Sequence, residues 1–274
     1  MKKLAAALLT LLAVCVFASC AKGELESPAP TGTPAPSPAP TPTEAPALSS
    51  PTPEEPPEPE TGSISGITDL MHTEIIDITP GYVLIVAGWY PKTGVDAIDS
   101  YYSDKREEFT ANAENLAEEL RSYGETNSAA TQYMFDDNYE IVKNSGDIFS
   151  VHRTVYRYTG GVNGVHSDVC DNFRISDGKR LTLDDIFDCS REEYIADICG
   201  VFDAFIDEHN SGGDDYYFFN DAKVILRDIF PMHAFCLTDT GLNFYISPYF
   251  VTPYSSGTVV SPVAWDDLTV ARHD

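Results

Sequence analysis

The distribution of prolines limits how much of this chain can form a folded domain. Thirteen of its 19 prolines fall within residues 21–61, among repeated Thr, Ala, Ser and Glu. Such a segment has few apolar side chains to bury, so it cannot offset the entropy that ordering would cost. Where polyproline II persists, a chain extends by about 3.1 Å per residue, so this segment can span on the order of 100 Å. We therefore predict a disordered stalk over residues 20–61, with a PxxP peptide ligand as the alternative, and a globular region over residues 62–274.

The first twenty residues have the three zones of an export signal. Lys2 and Lys3 give a positive start, and an uncharged apolar run follows from Leu4 to Phe17. This run of 14 residues is shorter than the roughly 20 that a membrane-spanning helix needs. The tetrapeptide Phe17-Ala18-Ser19-Cys20 resembles a bacterial lipobox, whose cysteine is diacylated.

We therefore predict a lipoprotein signal peptide over residues 1–19 and lipid attachment at Cys20. The protein would then be exported and anchored to the outer face of the cytoplasmic membrane, with the membrane as a partner through lipidated Cys20. An ordinary secretory signal with an incidental cysteine is the alternative.

The net charge of the chain limits the classes of partner that it can bind. The chain has 43 Asp and Glu residues against 17 Lys and Arg, a formal net charge of −26 at pH 7. Nucleic acid and anionic lipid surfaces would be repelled, so the prediction is no nucleic-acid partner. A cationic partner is favoured, and simple solubility of a secreted protein explains the acidity equally well.

Four cysteines remain after the signal and the lipid site: Cys170, Cys189, Cys199 and Cys236. Outside the cytoplasm an even number permits two disulfides, with three connectivities. No pair has the spacing of a C-x-x-C zinc or redox site. Disulfides and buried free thiols both remain open.

Residue periodicity predicts both strands and helices in the globular region. Apolar residues recur every three or four positions from Ile98 to Leu120, which predicts a helix that Asp96 caps and Gly124 ends. Residues 190–193 form a capping box that opens a second helix, and a shorter helix is predicted over 221–229. Alternating or β-branched runs predict strands at 74–78, 82–86, 139–142, 148–158, 234–237 and 242–246.

Because strands cluster with helices between the clusters, we predict an α+β fold. Antiparallel sheets would have helices packed on one face, in two closely associated subdomains over residues 62–145 and 146–274.

Two blocks of sequence resemble a known family. The first runs from Tyr158-Thr159-Gly160-Gly161-Val162-Asn163-Gly164 to residues 177–187, and the second covers residues 241–257. They are similar to an extracellular domain of RsiV-type anti-sigma factors, which sense lysozyme, and of PdaC-type peptidoglycan deacetylases. Family members also carry a preceding module with a Tyr-Pro pair and a helix, which Tyr90 and Pro91 match. The resemblance implies a PdaC-like module over 62–145 and an RsiV-like domain over 146–274.

The Gly-rich run differs from the family at one position. Many members have a histidine where this chain has Asn163, and His166 follows three residues later. The glycine pair suits a tight corner with positive φ. We therefore interpret this run as a structural corner first, with Gly160, Gly161, Asn163 and His166 as candidate binding residues in the alternative interpretation.

No catalytic pattern emerges from the sequence. The six histidines form no H-E-x-x-H or other spaced metal pair, and neither a G-x-S-x-G elbow nor a Walker lysine is present. The sequence predicts no catalytic residues, metal site or cofactor, and no enzymatic activity. Asp184 and Asp185 are predicted to cap the turn before Ile186 and Phe187.

Aromatic residues are concentrated near the C-terminus. Tyr249 and Tyr254 stand beside prolines in irregular chain, so they are candidates for a surface platform, with core packing as the alternative. Aromatic faces suit sugar rings and protein partners alike.

The function predicted from these features is a cell-surface lipoprotein carrying a non-catalytic binding module. Its target would be a cell-wall glycan or another wall component, or a cationic wall-active protein such as lysozyme. The alternatives are a peptidoglycan-modifying enzyme with an unrecognised site and a structural lipoprotein of the envelope.

Overall fold

A computed structural model of the protein describes residues 62–123, 131–212 and 217–273. All of these residues lie in one compact unit. The predicted signal peptide, Cys20 and the stalk lie outside the described residues. Within the described part of the chain, no helix is both long enough and apolar enough to cross a membrane.

The larger sheet has five strands in sequence order, β1-β2-β3-β4-β5. Every neighbouring pair is antiparallel except β2 and β3, which are parallel. A parallel pair needs a long crossover connection, and helix α1 supplies it. The elements are β1 (Thr68–Thr79), β2 (Tyr82–Lys92), α1 (Asp96–Ser122), β3 (Gln132–Ser145), β4 (Ile148–Tyr158) and β5 (Val165–Arg174).

Helix α1 lies on one face of this sheet because its predicted apolar stripe needs a partner surface. Ile98 and Tyr102 are fully buried, together with sheet residues such as Leu84 and Tyr90. The start of α1 differs from the prediction. Asp96 is the first helical residue, and the carboxylate of Asp99 accepts the backbone N–H groups of Thr93 and Gly94 at 2.6 and 3.0 Å.

The second layer contains two helices and a three-stranded antiparallel sheet of order β6-β7-β8. Their apolar residues form a separate core cluster. The capping box is confirmed, because Glu193 Oε2 accepts the Ser190 N–H at 2.9 Å and Ser190 Oγ accepts the Glu193 N–H at 3.3 Å. The elements are α2 (Arg191–Gly212), α3 (Ala222–Asp228), β6 (Phe235–Leu237), β7 (Gly241–Ile246) and β8 (Val259–Ala264).

The β4–β5 hairpin is shared by the two layers. Alternate residues face opposite sides of a sheet, so Val151 joins the α1 core while Asn172 faces the second layer. The Asn172 side chain donates to the Phe235 carbonyl at 2.8 Å and accepts the Leu237 N–H at 2.8 Å. A buried amide therefore holds β6 on both sides of Cys236.

The predicted α+β class is confirmed, with two mainly antiparallel sheets. The parallel β2–β3 pair is the exception to the predicted pairing. The subdomain boundary predicted after residue 145 falls in the tight turn between β3 and β4, and both strands belong to the five-stranded sheet.

Candidate functional site

The Gly-rich run forms the corner between β4 and β5. Gly160 and Gly161 have φ values of +95° and +103°, which glycine adopts without steric cost. Tyr158 Oη donates to the Gly161 carbonyl at 2.9 Å. The ring of Tyr156 lies so close to Gly164 that a Cβ there would be 2.3 Å from it. The predicted tight corner with positive φ is therefore present.

The corner meets the C-terminal aromatic block, so the six candidate binding residues lie in one place. Asn163 Nδ2 donates to Tyr249 Oη at 3.1 Å, and His166 Nε2 lies 3.2 Å from Tyr254 Oη. The two tyrosine rings have centroids 5.4 Å apart. Residues from β4–β5 and from the chain after β7 thus form one surface. We call it the corner patch; it comprises Gly160, Gly161, Val162, Asn163, His166, Tyr249, Phe250 and Tyr254.

The corner patch exposes three large apolar side chains to solvent. The exposed fractions are 96% for Val162, 56% for Tyr249 and 50% for Phe250. The alternative that Tyr249 packs in the core is wrong, and Tyr254 is half-buried. Rigid aromatic side chains at such positions are typical binding anchors, because they offer a large contact area at low entropic cost.

Tyr249 also has a strained backbone. Its φ is +73°, a left-handed conformation that costs a residue with a Cβ roughly 1–2 kcal/mol. A type II turn favours proline at its first corner position and requires positive φ at the second; Pro248 and Tyr249 follow that order. Strain of this kind persists only where the surroundings hold it, and it is concentrated at functional sites.

A buried carboxylate anchors the loop that carries the tyrosines. Asp168 on β5 accepts hydrogen bonds from Ser247 Oγ at 2.7 Å and from Thr258 Oγ1 at 3.0 Å. Its other oxygen lies 2.8 Å from His152 Nε2. Burial alone would raise the pKa of Asp168, but these hydrogen bonds outweigh it and lower the pKa below its usual value. Both ends of the loop over residues 247–258 are thus fixed to the five-stranded sheet.

Ser247, His152 and Asp168 contain the residue types of a hydrolase triad but not its geometry. A triad needs the serine hydroxyl bonded to the histidine, which is in turn oriented by the carboxylate. Here Ser247 Oγ is buried, donates to Asp168 Oδ2 and accepts the Asp168 backbone N–H. His152 lies between Asp168 and Glu140 and stacks on Tyr245 at 3.8 Å. These side chains therefore link the five-stranded sheet to the second layer.

A groove of about 290 Å³ adjoins the corner patch, between His166, Tyr254 and Thr258. It is open and small, which suits the edge of a larger partner better than a whole cofactor. Among the described residues, no group of three or more His, Cys, Asp or Glu side chains could hold a metal ion.

The four cysteines of the globular region are free thiols in the structure. Cys170, Cys199 and Cys236 are buried, and Cys189 is half-buried. Cys170 and Cys236 share a small cluster with Tyr245 between the two sheets. Burial raises the pKa of the Cys170 thiol, and the neighbouring Cys236 raises it further. Disulfide pairing of these residues stays a prediction.

Two patch residues escaped the sequence interpretation. Val162 lies inside the Gly-rich run and Phe250 belongs to the C-terminal aromatic block, but neither is among the six candidate binding residues. The signal that could have identified them is an apolar side chain next to a turn residue, where no core is available.

Comparisons with known proteins place the second layer in a described family. Residues 184–266 match the family described as "Protein of unknown function (DUF3298)". The match includes Tyr249, Phe250 and Tyr254 but not the Gly-rich corner. No curated protein is significantly similar in sequence to the chain.

Two solved structures share the fold of this chain. A crystal structure of a DUF3298 family member from Bacteroides fragilis NCTC 9343 superposes with a TM-score of 0.58 at 18% identity, covering 79% of this chain and 96% of that one. A DUF3298 family protein from Pseudomonas aeruginosa PAO1 gives a TM-score of 0.53 at 15% identity, covering 76% and 94%. Residues 184–266 therefore form a DUF3298 domain, within a chain that has the fold of these two family members.

Proposed function

We propose that this protein is an exported, lipid-anchored binding module whose corner patch holds a cationic wall-active protein such as lysozyme. The observation that carries the proposal is an exposed aromatic surface built around Tyr249, whose left-handed backbone the fold maintains at a cost. Anchoring at Cys20 and the stalk over residues 20–61 would present the module away from the membrane.

Charge supports a cationic partner. The formal net charge of −26 would accelerate encounter with a basic protein and would be screened by salt. Aromatic anchors act at short range and are much less sensitive to salt. The proposal therefore requires two separable contributions: a salt-dependent association and a salt-resistant contact at the corner patch. The resemblance to RsiV-type domains, which sense lysozyme, favours the same class of partner.

Binding of the purified full chain to a cationic lysozyme, by interferometry across a salt series, tests the proposal. We expect micromolar or tighter affinity that survives about 150 mM salt, where the Debye length is about 8 Å. Tyr249→Gly, which suits the backbone conformation, and Tyr254→Ala should each weaken binding at least tenfold. Tyr123→Ala is the matched control, because Tyr123 is 59% exposed at the end of α1 and lies outside the corner patch.

Two results would contradict the proposal. Binding that vanishes with screening would be charge attraction alone, and equal loss in all three variants would remove the role of the corner patch. Cosedimentation with insoluble peptidoglycan, sensitive to the same two patch variants, would instead assign the surface to a wall glycan.

A further inference from the structure

Two of the four cysteines of the globular region meet where the two layers join. Cys170 is 3% exposed and Cys236 is fully buried. Together with Tyr245 they form a small cluster of their own, separate from the core of either layer. The other two cysteines, Cys189 and Cys199, pack in the core of the second layer. The fold therefore divides the four thiols into one neighbouring pair and two others.

The alternation of side chains along β5 and β6 directs the pair toward each other. Cys170 and Asn172 lie two residues apart on β5 and share one face of the sheet, and the Asn172 side chain bonds to β6. On β6, Phe235 and Leu237 belong to the core of the second layer. Cys236 lies between them and therefore points the opposite way, toward β5.

Hydrogen bonds hold the two backbones close together at these positions. The Cys170 N–H donates to the His233 carbonyl at 3.0 Å. The Asn172 side chain bonds, at 2.8 Å each, to the backbone on both sides of Cys236. A disulfide needs Cα atoms about 4.4–6.8 Å apart and converging side chains, because otherwise the backbone has to move. Two strands bonded to each other around the cysteines favour that geometry.

Helix geometry argues against a bridge between the other two cysteines. Cys199 lies inside α2, and Cys189 precedes the first helical residue, Arg191. A helix rises about 1.5 Å per residue, so roughly 12 Å along its axis separates Cys199 from Arg191. This distance is well beyond the spacing of a disulfide. Cys199 also belongs to the core on the far side of β6 from Cys236. The three connectivities that the sequence leaves open thus reduce to one bridge and two free thiols.

We propose that Cys170 and Cys236 form a disulfide that joins the five-stranded sheet to the second layer, and that the structure with free thiols is the reduced form. The bond forms by exchange with an oxidant that itself carries a disulfide, such as a thiol oxidoreductase outside the cytoplasm. The thiolate of one cysteine attacks the oxidant and releases one of its thiols, and the thiolate of the other cysteine then displaces the second. The cysteines lose two electrons and two protons, and the oxidant becomes two thiols.

The bridge has to form while the chain folds. Both thiols are buried in the folded protein, and burial raises the pKa of Cys170, which the adjacent Cys236 raises further. Since the thiolate is the reactive species, the folded pair is nearly inert. An exported chain meets oxidants before its two layers close, whereas a chain that folds in a reducing compartment keeps both thiols. This timing rests on the proposed export; the pairing itself does not.

Oxidative refolding of the full chain tests the pairing. The protein is unfolded in urea with a reductant, refolded in reduced and oxidised glutathione, alkylated and digested with trypsin. Cleavage after Lys and Arg places the four cysteines on separate peptides: residues 158–174, 181–191, 192–223 and 228–272. We expect a reducible link between peptides 158–174 and 228–272, with alkylated thiols on the other two. Alkylation of all four cysteines, or a dominant link of either peptide to another cysteine, would overturn the proposal.

Thermal unfolding tests whether the bridge fits the native packing. A crosslink between residues far apart in the chain restricts the unfolded state, and for a domain of this size it should raise the Tm by roughly 4–16 °C. We expect this difference between the oxidised and reduced parent. Cys236→Ala and Cys170→Ala should each lose the difference, whereas Cys189→Ser, the matched control, should retain it. An oxidised parent no more stable than the reduced one would mean that the bond distorts the fold, which would refute the proposed geometry.

Discussion

Glycine and alanine at position 249 should separate backbone strain from side-chain contacts. Both substitutions remove the hydrogen bond to Asn163 and the ring contact with Tyr254, so those losses cancel in the comparison. The left-handed φ of +73° costs alanine about 1–2 kcal/mol and glycine almost nothing. Glycine loses more conformational entropy on folding than alanine does. This difference favours the stability of the alanine variant by about 0.5–1 kcal/mol. At the midpoints of these two ranges, we expect Tyr249→Gly to be more stable than Tyr249→Ala by about 0.75 kcal/mol, against the usual order.

Urea denaturation of both variants measures this difference, and thermal unfolding should separate their midpoints by about 1–4 °C for a domain of this size. Phe250 supplies a control, because it is similarly exposed but does not have a positive φ. At position 250 alanine should be the more stable residue. If alanine is at least as stable as glycine at position 249, the left-handed backbone and the strain argument are refuted.

Three further predictions concern stability. Asn172→Leu should cost at least about 3 kcal/mol in denaturant, because it leaves buried backbone groups of β6 unpaired; a loss below 1 kcal/mol would mean that β6 finds other partners. The pKa of Asp185 is lowered from 3.8 to about 2, because hydrogen bonds from a neighbouring lysine and threonine outweigh its burial. The ionised carboxylate of Asp185 therefore contributes about 1 kcal/mol to the free energy of unfolding after solvent screening. This contribution is complete above pH 4 and is lost as the pH falls toward 2. Asp185→Asn should therefore lower the stability of the protein at pH 7 but not at pH 2. Gly178→Ala should cost about 2 kcal/mol or more, since φ is +67° and its Cβ would be 2.5 Å from Ala97 Cβ; an unchanged urea midpoint would refute that packing.

Local signals in the sequence predicted the elements that depend on local chemistry. The stripe from Ile98 to Leu120 became the buried face of α1, and the capping box at Ser190 opened α2. Asp185 caps the short turn at residues 183–185, as predicted, whereas Asp184 instead accepts hydrogen bonds from Arg191 and Tyr194. Gly81 adopts φ of +85° between β1 and β2, and the Pro80-Gly81 pair in the sequence is a local signal for this turn. Each of these features is decided by residues fewer than five positions apart or by one periodic face.

Features that depend on distant residues could not be predicted. The parallel pairing of β2 with β3 depends on where α1 returns the chain, which no residue pattern specifies. Strand β8 was missed because Pro262 interrupts its apolar run, although proline is tolerated on an edge strand. The cap by Asp99 was missed because its carboxylate reaches back over five and six residues.

The candidate site was predicted in its parts but not as a whole. The glycine pair and the tyrosines beside prolines were each recognised from local chemistry. Their meeting depends on the bonds of Asp168 to Ser247 and Thr258, which join residues 79 and 90 positions apart. The sequence could not pair Cys170 with Cys236, because four cysteines allow three connectivities.

The shared β4–β5 hairpin has a consequence for the order in which the molecule can mature. Ribosomes deliver the chain from its N-terminus, so the hairpin and α1 emerge before residues 233–264 exist. Until those residues arrive, Asn172 lacks its bonds to β6 and Asp168 lacks Ser247 and Thr258. Until then, the face of the first layer that carries Asn172 and Asp168 is not covered. A chain truncated before β6 would leave this polar face exposed to other proteins.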